Sequence, residues 1–167
     1  SSTSRGLGDV YKRQTVPTSS VFSLGTTTNV NGSGTVYISY AFAPSQFTSI
    51  GSYKGNGNAN GSFVPTINSL GVPIQPAWAI IKAIDLAGRN WFITDNKRNG
   101  NGNPIERYLI ANSTAVDAED TTPNDFVTGG IKARGSGTSY NNSGTTYIYM
   151  AFGTPIIDVD GRIITGR

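Results

Sequence analysis

A twelve-residue stretch that occurs twice constrains the fold of this chain more than any other feature. NGSGTVYISYAF at residues 31–42 returns as NNSGTTYIYMAF at residues 141–152, with eight of the twelve positions identical. The offset of 110 residues suits a single β-domain and is far too long for a solenoid or propeller repeat. The sequence therefore predicts a duplicated domain.

The repeat also predicts where the copies begin and end. We expect residues 44–153 to form a complete β-sandwich domain and residues 15–43 to be the C-terminal end of a preceding copy. Residues 154–167 would start a following segment. Residues 1–14 (SSTSRGLGDVYKRQ) resemble a translated sequencing-adapter junction and are predicted to be non-native, with a flexible basic arm as the alternative. Without them the chain has ten basic and nine acidic residues, which gives no nucleic-acid signal.

Both copies of the repeat alternate as half-buried strands do. The apolar even positions, among them Ile38 and Ile148, are expected to face the core. The tyrosines are expected to project from the opposite face; they are Tyr37, Tyr140, Tyr147 and Tyr149. Tyrosines exposed in this way are frequent at recognition surfaces.

Further strand-like runs follow at short intervals, separated by Asn- and Gly-rich turns. They are residues 49–54, 62–66, 77–84, 90–94, 124–127 and 130–134, with the run at 62–66 at a sheet edge because it contains a proline. A helical turn is predicted only near residues 104–110. The pattern predicts an all-β fold, an antiparallel β-sandwich of jelly-roll or concanavalin A-like type with little helix.

The composition excludes several kinds of chemistry. The chain has no cysteine and no histidine, so disulfides, thiolate or Ser-His-Asp catalysis and histidine metal sites are impossible. No apolar run approaches the roughly 20 residues of a membrane helix. Any catalysis would have to rest on carboxylates, Lys or Tyr, and no pattern in the chain supports it, so we do not expect an enzyme. We also expect neither a membrane nor a nucleic-acid partner.

Three segments in a fixed order resemble a known family. They are GSYKGNG with GSFV at residues 51–64, PAWAIIK at 76–82 leading to WFITDNKR at 91–98, and GTTYIYMAF at 144–152. They look like a domain of unknown function found, often in tandem, in tail-fibre-like proteins of bacteriophages, especially marine ones. The resemblance covers nearly all of residues 44–153 and implies a lectin-like sandwich in a virion appendage. It supplies no functional residues.

A glycan site is predicted at the second tryptophan. Trp91 precedes Asp95, Asn96 and Arg98, and an aromatic ring beside polar groups is the chemistry of sugar binding. Tyr147 and Tyr149 join it in the hypothesis. The alternative is a packed Trp91 followed by a solvated loop, while Trp78, in a doubly apolar run, is predicted to lie in the core.

Calcium is the one cofactor considered. Asp117, Glu119 and Asp120 form an acidic cluster together with Asp125, and oxygen ligands in a loop can hold Ca²⁺. The spacing matches no EF-hand loop, and solvated carboxylates are the alternative. Otherwise no cofactor is expected.

The function expected from these observations is that of a virion structural and interaction module of a phage tail fibre or tail protein. It would contribute to recognition of a host-cell surface glycan. Its other partners would be neighbouring repeats of the same chain and, in a fibre, a homotrimer, although no coiled-coil heptads indicate one. A tail-associated depolymerase or a bacterial adhesin repeat is the alternative, the latter on the extracellular surface.

Overall fold

The structure is a computed structural model that describes residues 18, 20–98, 102–157 and 160–162, without the side chains of residues 120–123. The chain divides into two compact units, Ser1–Phe42 and Ala43–Arg167. The adapter-like segment predicted at residues 1–14 lies outside the described residues. Among the described residues, no helix has the length and apolar character needed to cross a membrane.

The second unit is built from antiparallel strands, which confirms the all-β prediction. They are β1 (Thr48–Lys54), β2 (Asn60–Pro65), β3 (Ile74–Ala83), β4 (Phe92–Asp95), β5 (Ile105–Ile110), β6 (Ala118–Val127), β7 (Gly130–Arg134) and β8 (Thr146–Pro155). All eight join one ladder in the order β1-β8-β3-β4-β5-β6-β7-β2. The repeated strand is thus β8, which pairs with β1 on one side and β3 on the other.

The sheet curls until it nearly closes on itself, so that β3 contacts β6 and β7 across the interior. β1 and β2 are consecutive in the chain but lie at the two ends of the ladder. The seam between them is bridged by residues 137–145, which we call the closing turn. Within it the amide of Gly144 donates to the carbonyl of Gly55 and the amide of Gly55 donates to that of Thr145, both at 2.9 Å.

The core lies inside this curved sheet and contains apolar side chains from seven of the strands, β2 to β8. Its members are Val64, Ala79, Ile81, Ala83, Phe92, Ile105, Phe126, Ile131, Tyr140, Tyr147, Tyr149 and Ala151. Burying such side chains is the main favourable contribution to folding. In β8 the residues that face the core are therefore the odd-numbered ones, Tyr147, Tyr149 and Ala151.

The predicted orientation of the repeated strand is wrong. Tyr147, Tyr149 and Tyr140 are 0%, 8% and 2% exposed, so they face the core rather than solvent. Two of the hydroxyls have backbone partners: that of Tyr147 donates to the carbonyl of Thr138 at 2.9 Å and that of Tyr149 to the carbonyl of Pro65 at 2.8 Å. Tyrosine contributes a large apolar ring, and a bonded hydroxyl removes the cost of burying it.

Three other expectations are also wrong. Residues 105–110 form β5 instead of a helical turn, with Tyr108 and Ile110 packed against the core. Residues 35–42 belong to no strand of the described structure. Trp78 is absent from the core because a bulge between Pro76 and Trp78 shifts the register of β3, and the ring emerges on the outer side of the sheet.

The first unit contains one short helix, α1 (Thr28–Asn31), capped by the side chain of Thr27. A turn follows in which Gly34 has a φ of 72°, a left-handed conformation that suits glycine. The hydroxyl of Tyr37 accepts from the amide of Gly32 at 2.8 Å and donates to the carbonyl of Thr28. The predicted exposure of Tyr37 is found here, at 41%.

Candidate functional site

The outer side of strands β1, β8, β3, β4 and β5 forms one continuous surface, which we call the outer face. A row of apolar side chains crosses it in register, one from each strand. They are Ile50, Met150, Ile80, Ile93 and Leu109. Ile50 is 50% exposed and the other four are half-buried. This row explains why β3 is apolar on both sides.

A second row lies beside the first and changes from aromatic to charged. Phe152 is opposite Trp78, and Trp78 is opposite Asp95. The rings of Trp78 and Phe152 are tilted, with centroids 5.4 Å apart. Arg107 follows on β5, where it is opposite Glu119 of β6. An aromatic pair therefore lies directly beside a group of ionised side chains.

Asp95 ends β4 and organises the loop that follows. Its Oδ1 accepts from the backbone amides of Lys97 and Arg98 at 2.9 and 2.7 Å, and its Oδ2 is 3.1 Å from Arg98 Nε. Partial burial alone would raise the pKa of Asp95, but the two amides and the guanidinium outweigh it and lower that pKa. The carboxylate is thus fixed in its ionised form, which does not suit a general acid.

Asn96 lies in the same loop, and its amide donates to the carbonyl of Ala77 at 3.0 Å. This contact ties the loop to the start of the strand that carries Trp78. Asn96 is half-buried, as are Arg98 and Trp78. A ligand on the outer face could therefore meet the Trp78 ring and the polar groups of the loop together.

The predicted calcium ligands are paired with arginine. Arg107 Nη1 is 3.0 Å from Asp117 Oδ2, and Arg107 Nη2 is 2.8 Å from Glu119 Oε1. The hydrogen bond that Arg107 donates to Asp117 and the charges of both carboxylates raise the pKa of Arg107. The side chain of Asp120 lies outside those described, and the described side chains hold no group of three or more that could bind a metal.

The structure brings together only part of the predicted glycan site. Asp95, Asn96 and Arg98 share the loop after β4, whereas Trp91 precedes β4 and lies about 13 Å from Asp95 along the strand. Trp91 is 37% exposed, and its amide bonds Asn112. Tyr147 and Tyr149 are in the core, so they are not available to a ligand. The ring beside Asp95 is Trp78, the tryptophan that sequence reasoning assigned to the core.

A signal for Trp78 exists in the sequence. Pro76 cannot donate to a ladder, and proline within a strand often marks a bulge or an edge. A bulge at that point inverts the side to which the following residues point. The alternation within β3 then has to be counted from Ala79, which is 0% exposed, and this puts Trp78 outside.

A shallow open pocket of about 430 Å³ lies elsewhere, lined by Asn103, Pro104, Asp125 and Arg134. The side chain of Asp125 is only 9% exposed and is ion-paired with Arg134. Asn103 holds the rim by bonding the backbone of Phe126 in both directions at 2.8 Å. The polar groups of this pocket are thus used within the protein.

The comparisons with known proteins place the chain in a family. Searches among curated proteins and among solved structures gave no significant match. Residues 2–155 match the family described as a domain of unknown function, DUF7483. The match covers most of the 167 residues, including the whole eight-stranded sheet. The chain therefore belongs to this family.

Proposed function

We propose that this chain is a structural and interaction module of a phage tail fibre or tail protein, and that its outer face contributes to recognition of a host-surface glycan. The virion location rests on the resemblance to tail-fibre-like proteins. The binding role rests on one observation, the Trp78–Phe152 ring pair next to the ionised Asp95.

This arrangement matches what a sugar requires. The ring face is electron-rich and attracts the C–H groups of a pyranose, while hydroxyls bond to charged groups more strongly than to neutral ones. Arg98 and Asp95 can supply a donor and an acceptor on the same edge. Their mutual 3.1 Å contact between Arg98 Nη2 and Asp95 Oδ2 fixes both before a ligand arrives, so that little side-chain entropy is lost on binding.

The sheet also suits a structural role. Its eight strands are joined in one ladder that nearly closes, and closure protects strand edges from pairing with other chains. In a fibre such a unit would contact neighbouring repeats of the same chain. Light scattering of the purified protein would show whether a homotrimer forms.

A glycan array of host-type polysaccharides tests the binding role. We compare the wild-type chain with Trp78→Ala, and with Trp91→Ala as the matched tryptophan control. We expect Trp78→Ala to lose at least tenfold in affinity and Trp91→Ala to bind as wild type. Because Trp78→Ala could also loosen the sheet, Arg98→Gln is tested in parallel, and the unfolding midpoint of each variant is measured.

Two results would contradict the proposal. The first is sugar binding that is unchanged in both Trp78→Ala and Arg98→Gln, which would exclude the outer face. The second is release of reducing sugar from the polysaccharide by the wild-type chain, which would make the protein a depolymerase instead of a binding module. Absence of the protein from purified virions by mass spectrometry would remove the virion location.

A further inference from the structure

The turn before each copy of the repeated strand has the same hydrogen bonds. In the second unit the hydroxyl of Tyr147 accepts from the amide of Asn142 and donates to the carbonyl of Thr138, both at 2.9 Å. In the first unit, 110 positions earlier, the hydroxyl of Tyr37 accepts from the amide of Gly32 at 2.8 Å and donates to the carbonyl equivalent to that of Thr138.

The backbone agrees as well. The amides of Asn31 and Asn141 each bond the carbonyl four residues earlier, at 2.9 and 2.8 Å. Gly34 and Gly144 have φ angles of 72° and 73°. Residues 25–42 therefore contain the same folded turn as residues 135–152, within a unit that lacks the eight-stranded sheet.

In the second unit this turn is docked onto the sheet through Asn141, which is 1% exposed. Its Oδ1 accepts from the amide of Asn56 at 2.9 Å and from the hydroxyl of Ser62 at 3.1 Å. Gly55 and Gly61 make room for the turn, since a Cβ on Gly55 would lie 2.2 Å from Asn142 O and a Cβ on Gly61 would lie 2.8 Å from Asn141 Nδ2. The equivalent Asn31 is exposed.

The segment that follows the turn shows the same contrast. Val36, Ile38 and Tyr40 are 91%, 80% and 81% exposed. Their equivalents in β8 are all half-buried between β1 and β3. Several exposed apolar side chains close together in the chain are typical of an interaction surface.

We propose that residues 25–42 are a preformed closing element that docks onto an antiparallel sheet built like β1–β7, supplied by another domain of the same family. Asn31 would fill the place of Asn141, and Tyr37 that of Tyr147. The partner sheet would carry glycines equivalent to Gly55 and Gly61.

One difference between the copies adds a detail about the partner. Ser39 takes the position of Tyr149, whose ring atoms lie 3.1 to 3.2 Å from where a Cβ on Gly51 would be. With serine there, the space is free. We therefore expect the partner sheet to carry a larger side chain at the position of Gly51.

The test extends the full chain by a partner sheet. A second copy of residues 43–134 takes the place of residues 1–24 and directly precedes residue 25. Residues 25–42 then follow this added sheet as residues 135–152 follow residues 43–134 in the second unit. Hydrogen exchange by mass spectrometry then compares residues 36–42 in the extended and the original chain. We expect these amides to exchange about 100-fold more slowly in the extended chain, as amides of docked strands do.

Two matched proteins make the result decisive. A fusion that carries residues 135–152 in place of residues 25–42 shows that the added sheet folds. A second extended chain carries Val30→Tyr and Ser39→Tyr, which place tyrosines at the positions equivalent to Tyr140 and Tyr149 of the core. If residues 36–42 gain protection in neither extended chain while the first fusion folds, the proposal is overturned. Loss of the gained protection with Asn31→Ala would support the predicted mode of docking.

Discussion

At the scale of the residue, the buried tyrosines decide the orientation of the closing strand. Tyr53 stacks on Tyr147 with ring centroids 5.1 Å apart, and its hydroxyl donates to the carbonyl of Tyr140 at 2.8 Å. Alternation in the sequence predicted a two-faced strand correctly. It could not say which face is buried, because tyrosine has both an apolar ring and a polar hydroxyl and is stable on either side, depending on long-range partners.

The tyrosine cluster predicts how the protein responds to alkali. Burial, and then the nearby Tyr147, raise the pKa of Tyr53 well above its usual 10.0. The folded state therefore retains a proton that the unfolded state loses, so this contribution to stability is complete below pH 10 and is lost as the pH rises further.

We expect titration of tyrosinate absorbance to show a late step that coincides with unfolding. Tyr53→Phe should reduce the amplitude of that late step. A late step of unchanged amplitude in Tyr53→Phe would contradict the raised pKa of this hydroxyl.

Asp95 predicts the response to acid. Its pKa is lowered in the folded state, so its contribution to stability is present above the usual value of 3.8 and is lost as the pH falls through the lower folded value. Asp95→Asn should cost about 1 kcal/mol at pH 7 and make the free energy of unfolding less dependent on pH below 4. Urea unfolding at several pH values measures both. Glu106→Gln, at an exposed position of β5, is the control and should change the free energy of unfolding at pH 7 by less than about 0.5 kcal/mol.

At the scale of the element, most strands could be predicted, and Pro76 is a local sign of the bulge that does not fix its position. The runs at 49–54, 77–84 and 130–134 fall on β1, β3 and β7 because β-branched and apolar residues are concentrated there. The predicted edge position of the proline-containing run at 62–66 is also found, since β2, which ends at Pro65, is the last strand in the order of the sheet. The bulge in β3 depends on its pairing with β8, and its effect on Trp78 was therefore missed.

Gly153 tests the fit between the two strands at the bulge. A Cβ on Gly153 would lie 2.0 Å from the carbonyl oxygen of Gln75, a backbone atom that cannot move away easily. We expect Gly153→Ala to lower the free energy of unfolding by roughly 2 kcal/mol, because overpacking at this point has to displace β3. Thr154→Ala, at the next and exposed position of β8, should change it by less than about 0.5 kcal/mol. Urea unfolding compares the two, and equal losses would contradict the role of the bulge.

At the scale of the whole molecule, the second copy of the sequence repeat includes part of the closing turn and most of β8, which together close the sheet. The antiparallel all-β class could be predicted from short alternating runs and turns. The strand order could not, because β1 pairs with β8 from the far end of the chain, with Thr48 opposite Phe152. Local patterns carry no information about such pairing.

Asn141 connects the closing turn to both ends of the ladder. Its Nδ2 donates to Asn56 Oδ1 and to the carbonyls of Asn58 and Gly135 at 2.8, 3.1 and 2.7 Å. Replacing it with alanine removes several partly buried hydrogen bonds at once. We expect Asn141→Ala to lower the free energy of unfolding by roughly 3 kcal/mol.

The loss of stability in Asn141→Ala should be localised at the seam between β1 and β2, because Asn141 lies there and not within one strand. Hydrogen exchange should accelerate in β1 and β2 together, although these strands do not pair with each other, and change less in β5 and β6. Asn31→Ala removes the same side chain from an exposed turn of the same design, so in this chain it should leave both stability and exchange unchanged. If Asn141→Ala were as mild as Asn31→Ala, the sheet would be held closed by its core alone, and the repeated turn would only connect strands.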